Sequence, residues 1–331
     1  MASVSLPRPS FSSSRIASQV LGEAGIGVAL VVLAAFFLAF APFFGSAQNL
    51  RDIMTQITLN TILAIGMTFV ILVGGIDLSV GSVIALCAVV SGTLMAENGG
   101  GIALAVAVSV ALGALVGLVN GFVTEHWRVP SFIVTLGMLY MARGAAQDYT
   151  GAATIYDLPK ALTDFGTATV AGVPAVFVVA LAMVAVAWFV LSRTVFGRLV
   201  YAIGNNEEAV RLSGHRTSRI KVACFMIAGA AVGVAAVIYT ARLGVASPIL
   251  GSGYELNAIA AVVIGGASLS GGRGSAMGTL LGACLLGVLT NGLLLMGVSD
   301  FRRTIITGAV IIVAVVLDSY RRRLSVRLSA A

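Results

Sequence analysis

Few side chains in this 331-residue sequence could make or break bonds, and their spacing excludes most such chemistry. Paired-carboxylate catalysis needs two acids sharing one site. Asp77, in the stretch GGIDLSVG (Gly74–Gly81), reads as the single acid well inside an apolar pattern. The histidines, His126 and His215, fall in separate polar segments and form no HExxH-type cluster. The cysteines, Cys87, Cys224 and Cys284, sit inside apolar runs without metal-type spacing and read as buried thiols. Neither lysine, Lys160 nor Lys221, follows a glycine, so the chain has no G-x-x-x-x-G-K-[ST] phosphate loop. No catalytic residue, metal set or cofactor is expected here, and any ATP must be bound by another chain.

What remains is the chemistry of recognition and of polar groups inside a membrane. Residues 197–221 read GRLVYAIGNNEEAVRLSGHRTSRIK. Asn205 is expected as an N-cap, and Glu208 completes an Asn-x-x-Glu capping box. Glu207 and Glu208 then lie in the first turn, where the helix dipole favours carboxylates. Ala209, Arg211, Leu212 and Ser213 follow, and Gly214 suits a left-handed C-cap. A helix of about eight residues is unstable alone. It either presses into a groove of another protein or is a capped linker folded on its own loop.

Polar residues within apolar runs are the other candidates. Asp77 and Ser79 either cap the helix that follows or serve a transport pathway or gate. A second glycine-rich break, GGASLSGG at 265–272, matches GGIDLSVG at five of eight positions. Gly74, Gly75, Gly265, Gly266, Gly271 and Gly272 therefore mark two interruptions, and paired interruptions can point to a transport site. Asn60, Asn120, Asn257 and Asn291 lie in or near apolar runs. Such amides either join helices or line a path for a neutral polar solute.

These residues must be positioned by membrane helices. The chain is 59% hydrophobic and 10% charged, with mean hydropathy +1.04, against about 45–50% and about 25% for soluble domains. This predicts an all-α integral membrane protein and excludes a soluble enzyme or a disordered chain. Apolar runs predict about ten transmembrane helices, at 26–44, 53–73, 79–95, 102–123, 131–147, 172–191, 219–241, 256–268, 275–296 and 303–318. The eighth is short enough to be tilted, broken or re-entrant. Placing both termini in the cytoplasm puts most basic residues inside, among them Arg193, Arg198, Arg211, Arg216, Arg219 and the run Arg321–Arg323. The net charge of +7 then reflects topology rather than nucleic-acid binding. The expected organisation is a cytoplasmic tail (1–25), one transmembrane domain (26–318) and a basic cytoplasmic tail (319–331). Loop 192–218 is expected inside and loop 148–171 outside. The outer loop, with Asp148, Asp157 and Asp164, is either a docking surface or a solvated connector.

At residues 197–214 the sequence resembles the coupling loop of bacterial ABC-transporter permeases of the ribose/xylose/arabinose type. The pattern there is G-R-x-x-Y-A-I-G-x-N-x-E-A-A-R-L-S-G-I. GGIDLSVG (74–81), VPSFIVTLG (129–137), GYELNAIAAVVIGGASLSGGRG (253–274) and LDSYRRR (317–323) extend the resemblance over residues 60–323. Departures fall at Asn206, His215, Thr150–Ile155 and Asp300–Arg303. The resemblance implies a permease of the bacterial inner membrane that pairs with a second copy of itself. It implies a cytoplasmic ABC ATPase partner using ATP and magnesium, and an external sugar-binding protein that delivers a monosaccharide. Glu207–Gly214 would be the contact with the ATPase. An ion-coupled carrier of a small polar solute is the alternative reading of the composition.

Overall fold

The computed structural model describes residues 13–96 and 101–329. The first twelve residues of the expected N-terminal tail and the last two of the C-terminal tail lie outside the described residues. The helices are α1 (Ser13–Phe40), α2 (Ala47–Leu72), α3 (Val80–Ala96), α4 (Ile102–Trp127), α5 (Ser131–Thr150), α6 (Lys160–Thr167), α7 (Ala175–Arg193), α8 (Val195–Leu212), α9 (Thr217–Leu243), α10 (Tyr254–Ile264), α11 (Ala276–Leu295) and α12 (Asp300–Ser329). Two-residue strands β1 (Thr169–Val170) and β2 (Val173–Pro174) form an antiparallel hairpin between α6 and α7. Ten of these helices coincide with the ten apolar runs. By length and composition, α2, α4, α7, α9 and α11 are each sufficient to cross a membrane.

Two boundaries differ from the sequence reading. α1 begins at Ser13, inside the segment read as a tail, and α12 continues through the basic segment to Ser329. Backbone hydrogen bonding needs no apolar side chain, and no proline interrupts residues 13–40 or 300–329. The hydropathy of a run therefore does not mark the helix end.

α2 lies at the centre. From Ile57 to Val73 every residue except Asn60 is buried. Within it, Thr68 Oγ1 and Thr279 Oγ1 of α11 share a 2.8 Å hydrogen bond. α4 and α9 pack backbone to backbone. A methyl group added at Gly113 would fall against the Gly229 carbonyl, and one at Gly229 against that of Gly113. Gly117 and Phe225, Gly121 and Val222, and Gly233 and Ser109 repeat the contact along both helices. Ser109 Oγ donates to Gly233 O across the seam at 2.8 Å. Small residues at such a seam let dispersion and short polar contacts hold helices together where lipid provides no hydrophobic drive.

Two helices are incomplete. α10 has 11 residues, about 16 Å at 1.5 Å per residue, roughly half of a ~30 Å hydrocarbon core. α3 begins well inside the bundle, because Asn120, a full two turns before the end of α4, reaches Ser79 just ahead of it. The segment between α9 and α10 runs back along α3: Ala246 lies against Gly92, and Gly251 against Gly81. The N-termini of α3 and α10 thus meet inside the protein. Arg143 of α5 fastens this turn, its Nη1 donating to Pro248 O (2.7 Å) and Leu250 O (2.9 Å).

The α4–α9 seam leaves no room for a side chain. Gly229→Leu should lower stability by about 1–3 kcal/mol, read as a lower midpoint of thermal unfolding in detergent. Gly137→Ala, where no atom lies within 4 Å of the added carbon, should leave the midpoint unchanged or slightly raised.

Candidate functional site

The segment read as an inner loop is helical for most of its length. Thr194 caps α8, accepting from Gly197 N at 3.1 Å. The helix runs to Asn205 and is interrupted at Asn206, whose backbone is extended (φ −160°, ψ 91°). Asn206 Oδ1 accepts from Ala209 N at 3.0 Å, so the helix restarts with Asn206 as its N-cap. This corrects the expected capping box by one residue. Asn205 is not the cap, and Glu208 is second in the helix, where it forms a 2.7 Å ion pair with Arg211. With Asn-Asn in the sequence, either amide could cap, and tertiary contacts decide. Asn205 is drawn away: its Nδ2 donates to Tyr201 O (2.7 Å) and Gly272 O (3.2 Å).

The other end fits the sequence reading. Gly214 has φ +87°. Gly214 N donates to Arg211 O and His215 N to Val210 O, at 3.0 and 3.3 Å, which is the Schellman termination. Val210 is buried against Val200, Ile203 and Cys224. Glu208, Ala209, Arg211, Leu212 and Ser213 face outward, and Leu212 is 78% exposed. The Arg211 guanidinium beside Glu208 holds its carboxyl below the usual carboxylate range. Glu207 turns inward to Lys221 Nζ (3.1 Å), which also binds Glu125 of α4 at 2.6 Å. The restarted helix is therefore tied to both α4 and α9.

The two glycine breaks touch. Gly272 N donates to Leu72 O at 2.9 Å. Gly271, with φ +87°, lies where an added carbon would stand 3.0 Å from Gly74 N, Leu72 O and Gly204 Cα. A carbon on Gly204 would strike Leu72 O and Gly272 N. Tyr201 OH donates to Gly274 O at 2.8 Å. The end of α2, the break before α11 and the body of α8 thus form one backbone-packed unit. Gly265 instead packs on Gly278 of α11, Gly75 against Val70 and Phe225, and Gly266 is exposed.

Asp77 and Ser79 sit at the start of α3. Asp77 Oδ1 accepts from Ser79 N (2.8 Å) and Ser79 Oγ (2.6 Å), while Asn120 Nδ2 donates to Ser79 Oγ at 3.0 Å. Asp77 is thus engaged in local turn bonds ahead of a helix. The unwound backbone is met by hydroxyls of α5: Ile76 N donates to Ser131 Oγ and Leu78 N to Thr135 Oγ1, at 2.9 and 3.0 Å.

The four asparagines separate into three places. Asn120 belongs to the α3 start. Asn291 is buried and donates to Asn49 Oδ1 at 3.0 Å, joining α11 to α2. Asn60 of α2 and Asn257 of α10 line a cavity of about 420 Å³. Tyr239 and Arg242 of α9, Tyr254 of α10, Gln56 of α2 and threonines of α11 and α12 complete its polar wall. Ile57, Ala283, Leu286 and Gly287 supply the rest.

Sequence reasoning missed several of these residues. Glu255 is a second acid within the bundle, beside Gly81 at the start of α3. It was legible as an acid but not as an intramembrane one, because the dip before α10 has no hydropathy signature. Arg143, Ser131 and Thr135 serve backbone carbonyls and amides distant in sequence, and a single sequence carries no signal for that.

A family profile described as branched-chain amino acid transport system / permease component matches residues 49–315. The ribose import permease protein RbsC of Escherichia coli K12 is 42% identical over 300 residues, covering 89% of this chain and 93% of that protein. The protein of the same name in Bacillus subtilis 168 is 39% identical over 302 residues, covering 90% and 93%. The L-arabinose ABC transporter permease protein AraH of Azospirillum brasilense is 34% identical over 304 residues, covering 92% and 89%. No solved structure matches the chain.

The depressed carboxyl of Glu208 fixes a pH window. The pair with Arg211 supports the short helix above the ordinary glutamate value of about 4.3 and is lost as pH falls through the lower folded value. Carbon-detected NMR of labelled Glu208 should show titration below about 4.3, and Arg211→Ala should return it to that value. At the other site, Asp77→Ala should destabilise the protein by about 0.5–2 kcal/mol through the lost turn bonds. Asp77→Asn, which keeps an acceptor oxygen, should lose less of the unfolding midpoint.

Proposed function

This chain belongs to the family of branched-chain amino acid transport system permease components, and from that premise we propose that it carries a monosaccharide inward across the bacterial inner membrane. It is a transport subunit and not the ATPase. Its partners are a cytoplasmic ABC ATPase that uses ATP and magnesium, an external sugar-binding protein, and a second copy of itself. The relatives named for ribose and arabinose support the sugar class. Both termini are cytoplasmic, following the distribution of arginines. The ten helices that coincide with apolar runs are the membrane segments, with α3 and α10 incomplete. The region of α6 and the hairpin, with exposed Asp148, Asp157 and Asp164, faces the binding protein.

One observation carries the coupling mechanism: α8 is packed at backbone distance on both glycine breaks. Glu208, Arg211 and Leu212 offer the ATPase a charged and apolar face, the form in which a short helix seats in a groove. A push there is resisted by few soft contacts. Lys221 passes it to α4 and α9 through Glu125 and Glu207. Asn205 and Tyr201 pass it to the break before α11. Leu72 passes it to α2 through its carbonyl bond to Gly272. Closure of the ATPase dimer thereby tilts the elements on either side of both breaks, and the two arrangements of the bundle open to opposite faces.

The tagged chain, extracted from its own host in mild detergent, should co-purify with an ATPase carrying phosphate loops. Arg211→Ala and Leu212→Ala should each reduce transport per ATP hydrolysed by about 5-fold or more, the lower end of coupling free energies, while membrane insertion is unchanged. A chain that purifies alone and moves solute only with an ion gradient would overturn the importer and favour the carrier.

A further inference from the structure

The cavity between α2, α9 and α10 collects polar side chains from all three helices around one open space. Other polar side chains pair directly across helices, Thr68 with Thr279, Asn291 with Asn49 and Asn120 with Ser79, although Asn120 Oδ1 and Asn291 Oδ1 have no partner among the described residues. Those contacts account for themselves as joints between helices. Around the cavity, Gln56 and Asn257 are exposed on the wall, and Asn60 Oδ1 is buried with no hydrogen-bond partner among the described residues. A buried polar atom without a partner is unfavourable, and this one stands at the wall of a cavity where a ligand hydroxyl or a water would meet it.

We infer that this cavity is an intramembrane binding site for a neutral, polyhydroxylated ring of monosaccharide size, formed by Gln56, Asn60, Tyr239, Arg242, Tyr254 and Asn257. The inference rests on the importer reading and adds to it a place and a set of residues. The volume of about 420 Å³ lies at the small end of ligand sites, about 300–1,000 Å³. The charge of the wall decides the class. Among the described residues, Arg242 is its single ionised group and no carboxylate lines it. A free amino acid would find Arg242 for its carboxylate but no carboxylate to pair its ammonium group. A phosphate would call for more than one cation. Three amides, each donor and acceptor, match hydroxyls that are themselves both. Tyr239 and Tyr254, with ring centroids 5.6 Å apart, add apolar faces for the carbon skeleton and hydroxyl tips for its oxygens.

The fold explains why these groups converge. Tyr254 and Asn257 belong to the first turn of α10, which starts inside the bundle only because the preceding segment dips along α3. Arg143 holds that dip by its carbonyl bonds at Pro248 and Leu250. It is a positioning residue for the site, acting through the segment rather than on the ligand.

The test uses the chain with its ATPase in nanodiscs, without the binding protein, and a radiolabelled panel of D-ribose, L-arabinose, D-fructose and L-leucine. Saturable binding of one of the sugars is expected, with a Kd on the order of 1 mM and no binding of L-leucine. Asn257→Leu and Asn60→Leu should each weaken it about tenfold, the equivalent of one lost hydrogen bond. Asn257→Gln should restore part of the affinity, and unchanged unfolding midpoints should show that the variants are folded. Tyr156→Ala, in a separate cleft near α6, should bind as the parent does. A complex that imports one of these sugars with its binding protein yet binds none alone would overturn the site and leave the importer intact. Binding of L-leucine, or sugar binding indifferent to both leucine substitutions, would overturn it equally. Failure of the importer reading has its own signature, the absence of a co-purifying ATPase.

Discussion

A backbone amide or carbonyl inside a bilayer must find a partner within the protein. The break after α2 and the dip before α10 answer to that constraint. The helix interruption after α2 leaves Leu72 O, Ile76 N and Leu78 N without helical partners, and each is met. Gly272 N supplies the first, and Ser131 and Thr135 accept from the others. The dip before α10 releases the carbonyls of Pro248 and Leu250, and Arg143 takes both. The breaks are therefore fixed structures rather than loose hinges. Ser131, Thr135 and Arg143 all belong to α5, which thereby holds both the break after α2 and the dip before α10.

The same constraint makes the glycines necessary. For Gly272 N to reach Leu72 O while α8 lies across both, three backbones must approach to within a side chain's width. Gly204 and Gly271 stand where any added carbon would strike a neighbouring backbone, and positive φ at Gly271 and Gly272 bars most alternatives independently. Close approach stiffens the junction, because backbones in van der Waals contact cannot slide without breaking hydrogen bonds. A stiff junction transmits displacement; a side-chain-packed one would absorb part of it by rotamer changes.

Much of this was legible in the sequence, and the unread parts share a cause. Hydropathy located the ten apolar helices, and the likeness of GGIDLSVG to GGASLSGG marked two breaks that are joined in space by Gly272 and Leu72. The Gly214 termination was readable because a positive-φ residue after an apolar periodicity has few other meanings. The cap was misplaced from Asn206 to Asn205 because the choice depends on Gly272, 67 residues away. The first half of α8, read as loop, is stabilised by Val200 and Ile203 packing beneath α7 and α9, a tertiary effect. Glu255 was overlooked for a similar reason: its depth is set by a segment that folds back along α3. Local periodicity reports elements, while depth and partners are properties of packing.

α10 joins these observations. Its first turn contributes Tyr254 and Asn257 to the polar cavity, and its last residue leads directly into the break that meets Leu72 and α8. A helix of 11 residues, about 16 Å long, is too short to be held at both membrane faces. Its ends are held by the Arg143-fastened dip and the glycine junction, and its buried face packs on α2 and α11, with Ala261 O against Gly282. In the coupling proposed above, α10 carries a displacement of the junction to the cavity wall. The shortness that made this segment readable as tilted, broken or re-entrant is what places it between the face proposed for the ATPase and the cavity proposed for the solute.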